Sequence, residues 1–181
     1  MSNLTNFKNA FNGGGARSNL FEVELYFPDG VLDGSVATSK SRFLVKGAQL
    51  PASVLTPIEV PYRGRKLKVA GDRTFEPWTI TVMNDVNMEI RNALESWMNL
   101  INRHASNTSA SNVSPLNYYK DLVVKQLTRE GGVATKSYTF VGAFPTNISS
   151  IDLNYETDNT VEEFTVEFNY QYWVSNSTIF E

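Results

Sequence analysis

IEVPYRGRKLKVAGDRTFEPWTITVMND, residues 58–85, carries two strand patterns and the approach to a helix. Residues 58–69 mix apolar and basic positions and read as a strand. Ala70-Gly71-Asp72 reads as a tight turn, with the glycine free to adopt conformations closed to other residues. Trp78, Ile80 and Val82 then alternate with Thr79 and Thr81, the period-two pattern of a half-buried strand. From Val86 the period lengthens. Ile90, Leu94, Trp97 and Ile101 recur at helical spacing, and Ala93 and Leu100 widen the stripe. Asn84 or Asp85 can accept backbone hydrogen bonds at the helix start. Glu89, Arg91, Asn92, Glu95 and Asn99 make the outer face polar, and this is the one convincing helix. Trp78 from the strand and Trp97 from the helix are expected in a common core.

Strand signals dominate the flanks. In Asn19–Phe27, Phe21, Val23, Leu25 and Phe27 fall on one face and Glu22 and Glu24 on the other. Residues 28–41 read as turn and loop, and 42–48 as a strand. Pro51, Pro57 and Pro61 confine their region to edges, bulges or a long projecting hairpin. After a polar loop at 104–114, strands are expected at 118–128, 133–141, 150–156 and 161–173. Glu130-Gly131-Gly132 joins the first two, and Asp158-Asn159 the last two. The final segment places Phe164, Val166, Phe168, Tyr170 and Tyr172 on one face; Thr165, Glu167, Asn169 and Gln171 occupy the other. Many strands with one helix predict a mainly β fold, an antiparallel sandwich or barrel. The expected organisation is an N-terminal arm over 1–18 hinged at Gly13–Gly15, one domain over 19–173, and a tail over 174–181.

The catalytic inventory is thin. Cysteine is absent and His104 is the only histidine, so no disulfide, Cys-His pair or histidine metal cluster can form. Asp29 and Asp33 flank turn glycines without the further oxygen ligands calcium needs. Asp152, Glu156 and Glu167 read as solvated carboxylates rather than a glycosidase pair. Gly13–Gly15 lacks the lysine of a phosphate loop. Neither an enzyme nor a cofactor is expected. No apolar run approaches the roughly 20 residues of a membrane span, and no secretory signal or membrane anchor is visible. Charge, however, is segregated. Between Glu59 and Arg73, five basic residues (Arg63, Arg65, Lys66, Lys68 and Arg73) face two acidic ones, whereas 137–181 holds seven acidic residues and no Lys or Arg. The basic cluster suits phosphates or the acidic surface of a neighbouring chain. With only Tyr62 and Phe75 available for base stacking, the second reading is favoured.

Asp72–Asp85 (DRTFEPWTITVMND) closely resembles the core of the tail tube proteins of contractile-tailed bacteriophages. Ala10-Phe11 followed by glycines, ARSNLFEVE at 16–24 and YQYW at 170–173 extend the resemblance over most of the chain. It implies a β-sandwich with a helix, of the kind shared with type VI secretion tubes, assembling into hexameric rings. Stacked, such rings form the inner tube of a tail built in the host cytoplasm. Implied partners are other copies of the chain, the tail sheath protein, and baseplate and tail terminator proteins. The tape measure protein and double-stranded DNA pass through the lumen. Loops 28–41 and 104–117 and the tail 174–181 look longer than a minimal member needs. A baseplate tube initiator or a tube cap shares the fold, and a carbohydrate-binding jelly roll is the rival outside the family. On this reading Arg63, Arg65, Lys66, Lys68 and Arg73 lie between subunits, opposite acidic partners that include Asp152, Glu162 or Glu163. Glu167, Asn169 and Gln171 face the lumen, and Trp78, Trp97, Phe164 and Phe168 fill the core. The arm 1–18 and a hairpin over 42–69 are expected to order on stacking.

Overall fold

Two sheets share one ribbon of chain that bends from the first into the second. The computed structural model describes residues 3–11, 14–109, 114–130 and 132–178; Gly13, Gly131 and Glu181 lie outside the described residues. In chain order the elements are α1 (Leu4–Ala10), β1 (Phe21–Glu24), α2 (Gly34–Leu44), β2 (Val45–Ala48), β3 (Val54–Tyr62), β4 (Arg65–Thr74) and β5 (Trp78–Met83). There follow α3 (Glu89–Ile101), α4 (Pro115–Tyr118), β6 (Lys120–Leu127), β7 (Ala134–Ile148), β8 (Glu163–Asn169) and β9 (Tyr172–Ser175).

The first sheet runs β1-β6-β7-β9 and the second β7-β8-β5-β2, all antiparallel. Tyr138–Val141 pairs with Ser175–Tyr172, and Phe144-Pro145 pairs with Asn169-Phe168 in the same register. One antiparallel ribbon therefore turns the corner between the sheets. The bend falls at Gly142, whose φ of 63° suits glycine, and a Cβ there would meet Gln171 Cγ at 3.1 Å. Opposite it, Gln171 N–H donates to Val141 O at 3.0 Å.

The core lies between the two sheets and under α3. Trp78 of the second sheet stacks on Phe140 of the first with ring centroids 4.2 Å apart. Phe168 packs beside Trp78, and Trp97 of α3 closes over Phe168 and Phe27. Trp78, Trp97, Phe164 and Phe168 are all buried. Each core indole keeps a hydrogen bond, as a buried N–H requires. Trp78 Nε1–H donates to Gln49 O at 2.7 Å, and Trp97 Nε1–H to Tyr118 O at 2.9 Å. Asp85 Oδ1 accepts from Glu89 N–H at the start of α3, although the helix begins at Glu89 rather than Val86.

Several expectations are corrected. Gly71 is not in a turn: it lies inside β4, where Gly71 and Asp72 together oppose Thr56 in a β-bulge. A Cβ at Gly71 would sit 2.3 Å from Thr56 O, so close backbone approach is the reason for glycine. The hairpin spans 54–74 rather than 42–69 and turns at Arg63-Gly64. Residues 34–44, expected as loop and strand, form α2. Its composition carries no apolar stripe; what anchors it is buried Ala37 and Ser41. Ser41 Oγ accepts from Leu25 N–H at 3.1 Å just beyond β1, and its own O–H donates to Thr38 O at 2.8 Å within the helix. The arm contains a helix, α1, whose residues are exposed. Residues 150–156 form no strand, so Asp158-Asn159 lies in a long loop rather than a hairpin turn. The segment 161–173 breaks at Tyr170-Gln171 into β8 and β9, leaving Tyr172 exposed, and β9 runs into the expected tail through Ser175. On the face opposite Val23 and Leu25, Glu24 is buried as well, 5 % exposed.

Candidate assembly surfaces

The hairpin β3–β4 is a two-stranded sheet of its own, and its residues are exposed on both faces apart from half-buried Gly71. Cross-strand partners share a face, so the register sorts its side chains. Ile58 opposite Val69 and Val60 opposite Leu67 make one face apolar, ending in Tyr62 opposite Arg65 at the tip. Glu59 opposite Lys68 and Pro61 opposite Lys66 make the other face charged. Arg63 and Gly64, with φ of 44° and 79°, form the two-residue turn, the geometry that matches strand twist. The Arg63 guanidinium lies 5.4 Å from the Tyr62 ring centroid. The five basic residues are therefore dispersed. Lys66 pairs with Glu59 at 2.5 Å and Arg73 donates to Ser53 Oγ at 2.6 Å near the base. Arg63, Arg65 and Lys68 make no ion pair among the described residues.

The base of the hairpin is tied to the body by two tryptophans. Trp78 holds Gln49 O, and Trp173 Nε1–H donates to Ala52 O at 3.0 Å. Sequence reasoning assigned Trp173 no role; its signal was the YQYW motif. The amphipathic character of the hairpin was also missed, because it emerges only once Arg63-Gly64 is known to be the turn.

The outer face of the second sheet is polar. Glu167 stands beside Thr79 and Asn147, and Thr165 beside Thr81, opposite the face of Phe164, Val166 and Phe168. Glu167 and Asn169 are half-buried on this face, and Gln171 is exposed at the corner. Lys46 at the margin is paired with Glu163 at 2.5 Å.

Residues 149–162 form a loop pinned at both ends: Arg91 Nη1–H donates to Ser149 O, and Asn84 N–H to Glu162 O. Leu153, Tyr155 and Val161 are exposed on it. Asp152, Glu156 and Asp158 are exposed too and make no ion pair among the described residues. Glu162 accepts from Asn84 Nδ2, and Glu163 is held by Lys46. The loop curls around a hollow of about 360 Å³ lined by Asp152, Leu153, Tyr155 and Glu162.

The body carries its own charge cluster. Glu24 of β1 accepts from Lys125 Nζ of β6 and Tyr26 Oη, and pairs with Arg42 of α2 at 2.7 Å. Burial opposes its charge, but the hydrogen bonds from Lys125 and Tyr26 and the nearby cations prevail and hold the carboxyl below its ordinary range. Lys40 bridges Asp85 and Glu89, and its hydrogen bond keeps Asp85 low as well. These pairs tie α2 to β1 and α3. Among the described residues no group of histidine, aspartate and glutamate is placed to hold a metal, and no helix is long and apolar enough to cross a membrane. His104 is exposed beyond α3.

Comparison with known proteins agrees with this architecture. The sequence profile described as phage tail tube protein matches residues 16–176. The tail tube protein gp19 of Enterobacteria phage T4 is 33 % identical over 158 residues, covering 87 % of this chain and 90 % of that one. The tail tube protein of Serratia phage KSP90 is 32 % identical over 178 residues, covering 97 % and 98 %. Among solved structures, the sheath/tube terminator of an extracellular contractile injection system, PVC, superposes with a TM-score of 0.64 at 15 % identity, covering 90 % of this chain and 96 % of that one. A chain of the sheath-tube complex of the same system gives 0.60 at 14 % identity, covering 93 % and 96 %. At such identities the likeness concerns the fold.

Proposed function

The chain belongs to the phage tail tube protein family and is a structural component of the virion tail, and from that premise we propose that its copies close into hexameric rings stacked as the inner tube of a contractile tail. The observation that carries the assembly reading is the hairpin. A lone two-stranded ribbon is marginal in water, and this one leaves Ile58, Val60, Tyr62, Leu67 and Val69 exposed. Burial of such side chains is worth about 1.5–3 kcal/mol each, and a neighbouring copy supplies the missing surface. Arg63, Arg65, Lys66, Lys68 and Arg73 belong to that contact, with Arg63, Arg65 and Lys68 the cations that the protomer leaves for a partner.

The face bearing Glu167 and Asn169, with Gln171 at its corner, lines the lumen. It offers threonine, amide and carboxylate groups, and Lys46 at its margin is already neutralised. That face offers double-stranded DNA few free cations to replace the counterions on its phosphates, and so the duplex passes with the tape measure protein without sticking. The chain does no chemistry. Sheath, baseplate and terminator proteins enclose and end the tube, in keeping with the terminator-like fold.

Electron microscopy of the purified chain tests the assembly. Rings and tubes of varied length are expected; a strict monomer at high concentration would refute it. Glu167→Lys should still form tubes but bind duplex DNA in a salt-dependent way. Tubes of that variant indifferent to DNA would remove the lumen assignment.

A further inference from the structure

We propose that the hairpin tip of one copy seats in the hollow of the 149–162 loop of the next, a head-to-tail contact. The inference rests on the tube reading and names the surface that receives the hairpin. Register places the two features at opposite ends of the second sheet. The hairpin leaves from the end where β2 finishes at Ala48 and β5 begins at Trp78. The loop enters β8 at Glu163, which pairs with Met83 at the far end of β5. Six residues of strand, about 20 Å, separate them. Neither feature can therefore satisfy the other within one protomer simply by closing at a shared end, and translation of a second copy along the sheet brings them together. A contact between two different patches related by translation along the sheet repeats without closing on itself, as growth of a tube requires.

Chemistry matches as well as position. The tip presents Tyr62, Arg63 and Arg65, with both guanidiniums unpaired among the described residues. The hollow presents Asp152 and Glu162 beside Leu153 and Tyr155, with Glu156 on the same loop. Planar guanidiniums pair with carboxylates and stack on aromatic faces, so one arginine uses both parts of that lining. The pinned ends at Ser149 and Glu162 hold the receiving loop to the body, so part of its ordering is already complete before docking.

The absence of native cysteine makes the test direct. Chains carrying Tyr62→Cys, mixed with chains carrying Tyr155→Cys under assembly conditions, should form mixed disulfide dimers on mild oxidation. Pairing Tyr62→Cys with Leu116→Cys, an exposed site on α4, should give at least about tenfold less. Independently, Arg63→Glu with Arg65→Glu, or Asp152→Lys with Glu156→Lys, should raise the concentration needed for tubes about 100-fold. Both pairs lie outside the core. Combining all four changes in one chain should return assembly to within about tenfold of the natural protein. Normal assembly of the loop variant, no rescue in the combined chain, or no Tyr62–Tyr155 cross-link would overturn the inference. Tubes that form without the cross-link leave the tube reading standing; a natural chain that never forms rings or tubes overturns both.

Discussion

Replacing Trp78 by alanine should unfold this protein far below the natural melting temperature. The indole is 3 % exposed, stacks on Phe140 at 4.2 Å and packs beside Phe168, so it joins the two sheets. Truncating a buried tryptophan costs about 3–5 kcal/mol in transfer and cavity terms. The hydrogen bond to Gln49 O, worth roughly 1 kcal/mol net, is lost with it. Against a domain stability of about 5–15 kcal/mol, that is a large fraction. For a chain of this size it lowers the melting temperature by on the order of 10–15 °C. Trp78→Phe separates the two contributions. It keeps an aromatic ring against Phe140 but has no N–H for Gln49, at the base of the hairpin. Its cost should be about 1–2 kcal/mol, with faster amide exchange concentrated at residues 49–54. Thermal melts and urea titrations measure the first quantity, and hydrogen exchange by mass spectrometry the second. An alanine variant that melts within about 2 °C of the natural protein would refute the assignment of Trp78 as the link between sheets.

Three further outcomes follow from the geometry. Gly71→Ala forces a Cβ onto Thr56 O, so it should distort the bulge of the hairpin and suppress tubes while leaving the melting temperature of the protomer nearly unchanged; microscopy beside a melt checks both. Glu24→Gln should cost about 2–3 kcal/mol at neutral pH, because it leaves Lys125 and Arg42 without the carboxylate they pair with; the folded carboxyl is held below its ordinary range. Stability from that depressed value is present above the unfolded value and fades as pH falls through the folded one, so urea titrations down that range should show the two proteins converging; a constant difference would exclude this ionisation as the cause. Amides of residues 3–11 and 54–74 should exchange quickly in free protomers and slowly in tubes, since both segments expose their side chains in the monomer; equal protection would end that idea.

How much of this was legible in advance depended on where each residue finds its partners. Trp78-Thr79-Ile80-Thr81-Val82 and Phe164-Thr165-Val166-Glu167-Phe168 alternate because each buries one face of a sheet, and alternation is visible without knowing the neighbour. The stripe Ile90, Leu94, Trp97 announces α3 for the same reason. Segregated charge and projecting prolines likewise marked the hairpin region before its shape was known. Elements whose stability comes from a few distant contacts were invisible. In α2 a serine hydroxyl meets the N–H of Leu25 beside β1 and Arg42 reaches Glu24, and nothing in GSVATSKSRFL displays that. Gly71 and Gly142 could each have marked a turn; only the approach of Thr56 O to one and of Gln171 to the other shows a bulge and a sheet corner. The same holds for assembly. The sequence by itself determined that basic and acidic residues occupy different segments. The tertiary structure decided that the basic hairpin and the acidic 149–162 loop stand at opposite ends of one sheet, because strand register, unlike charge, is set by pairing between residues far apart in the chain.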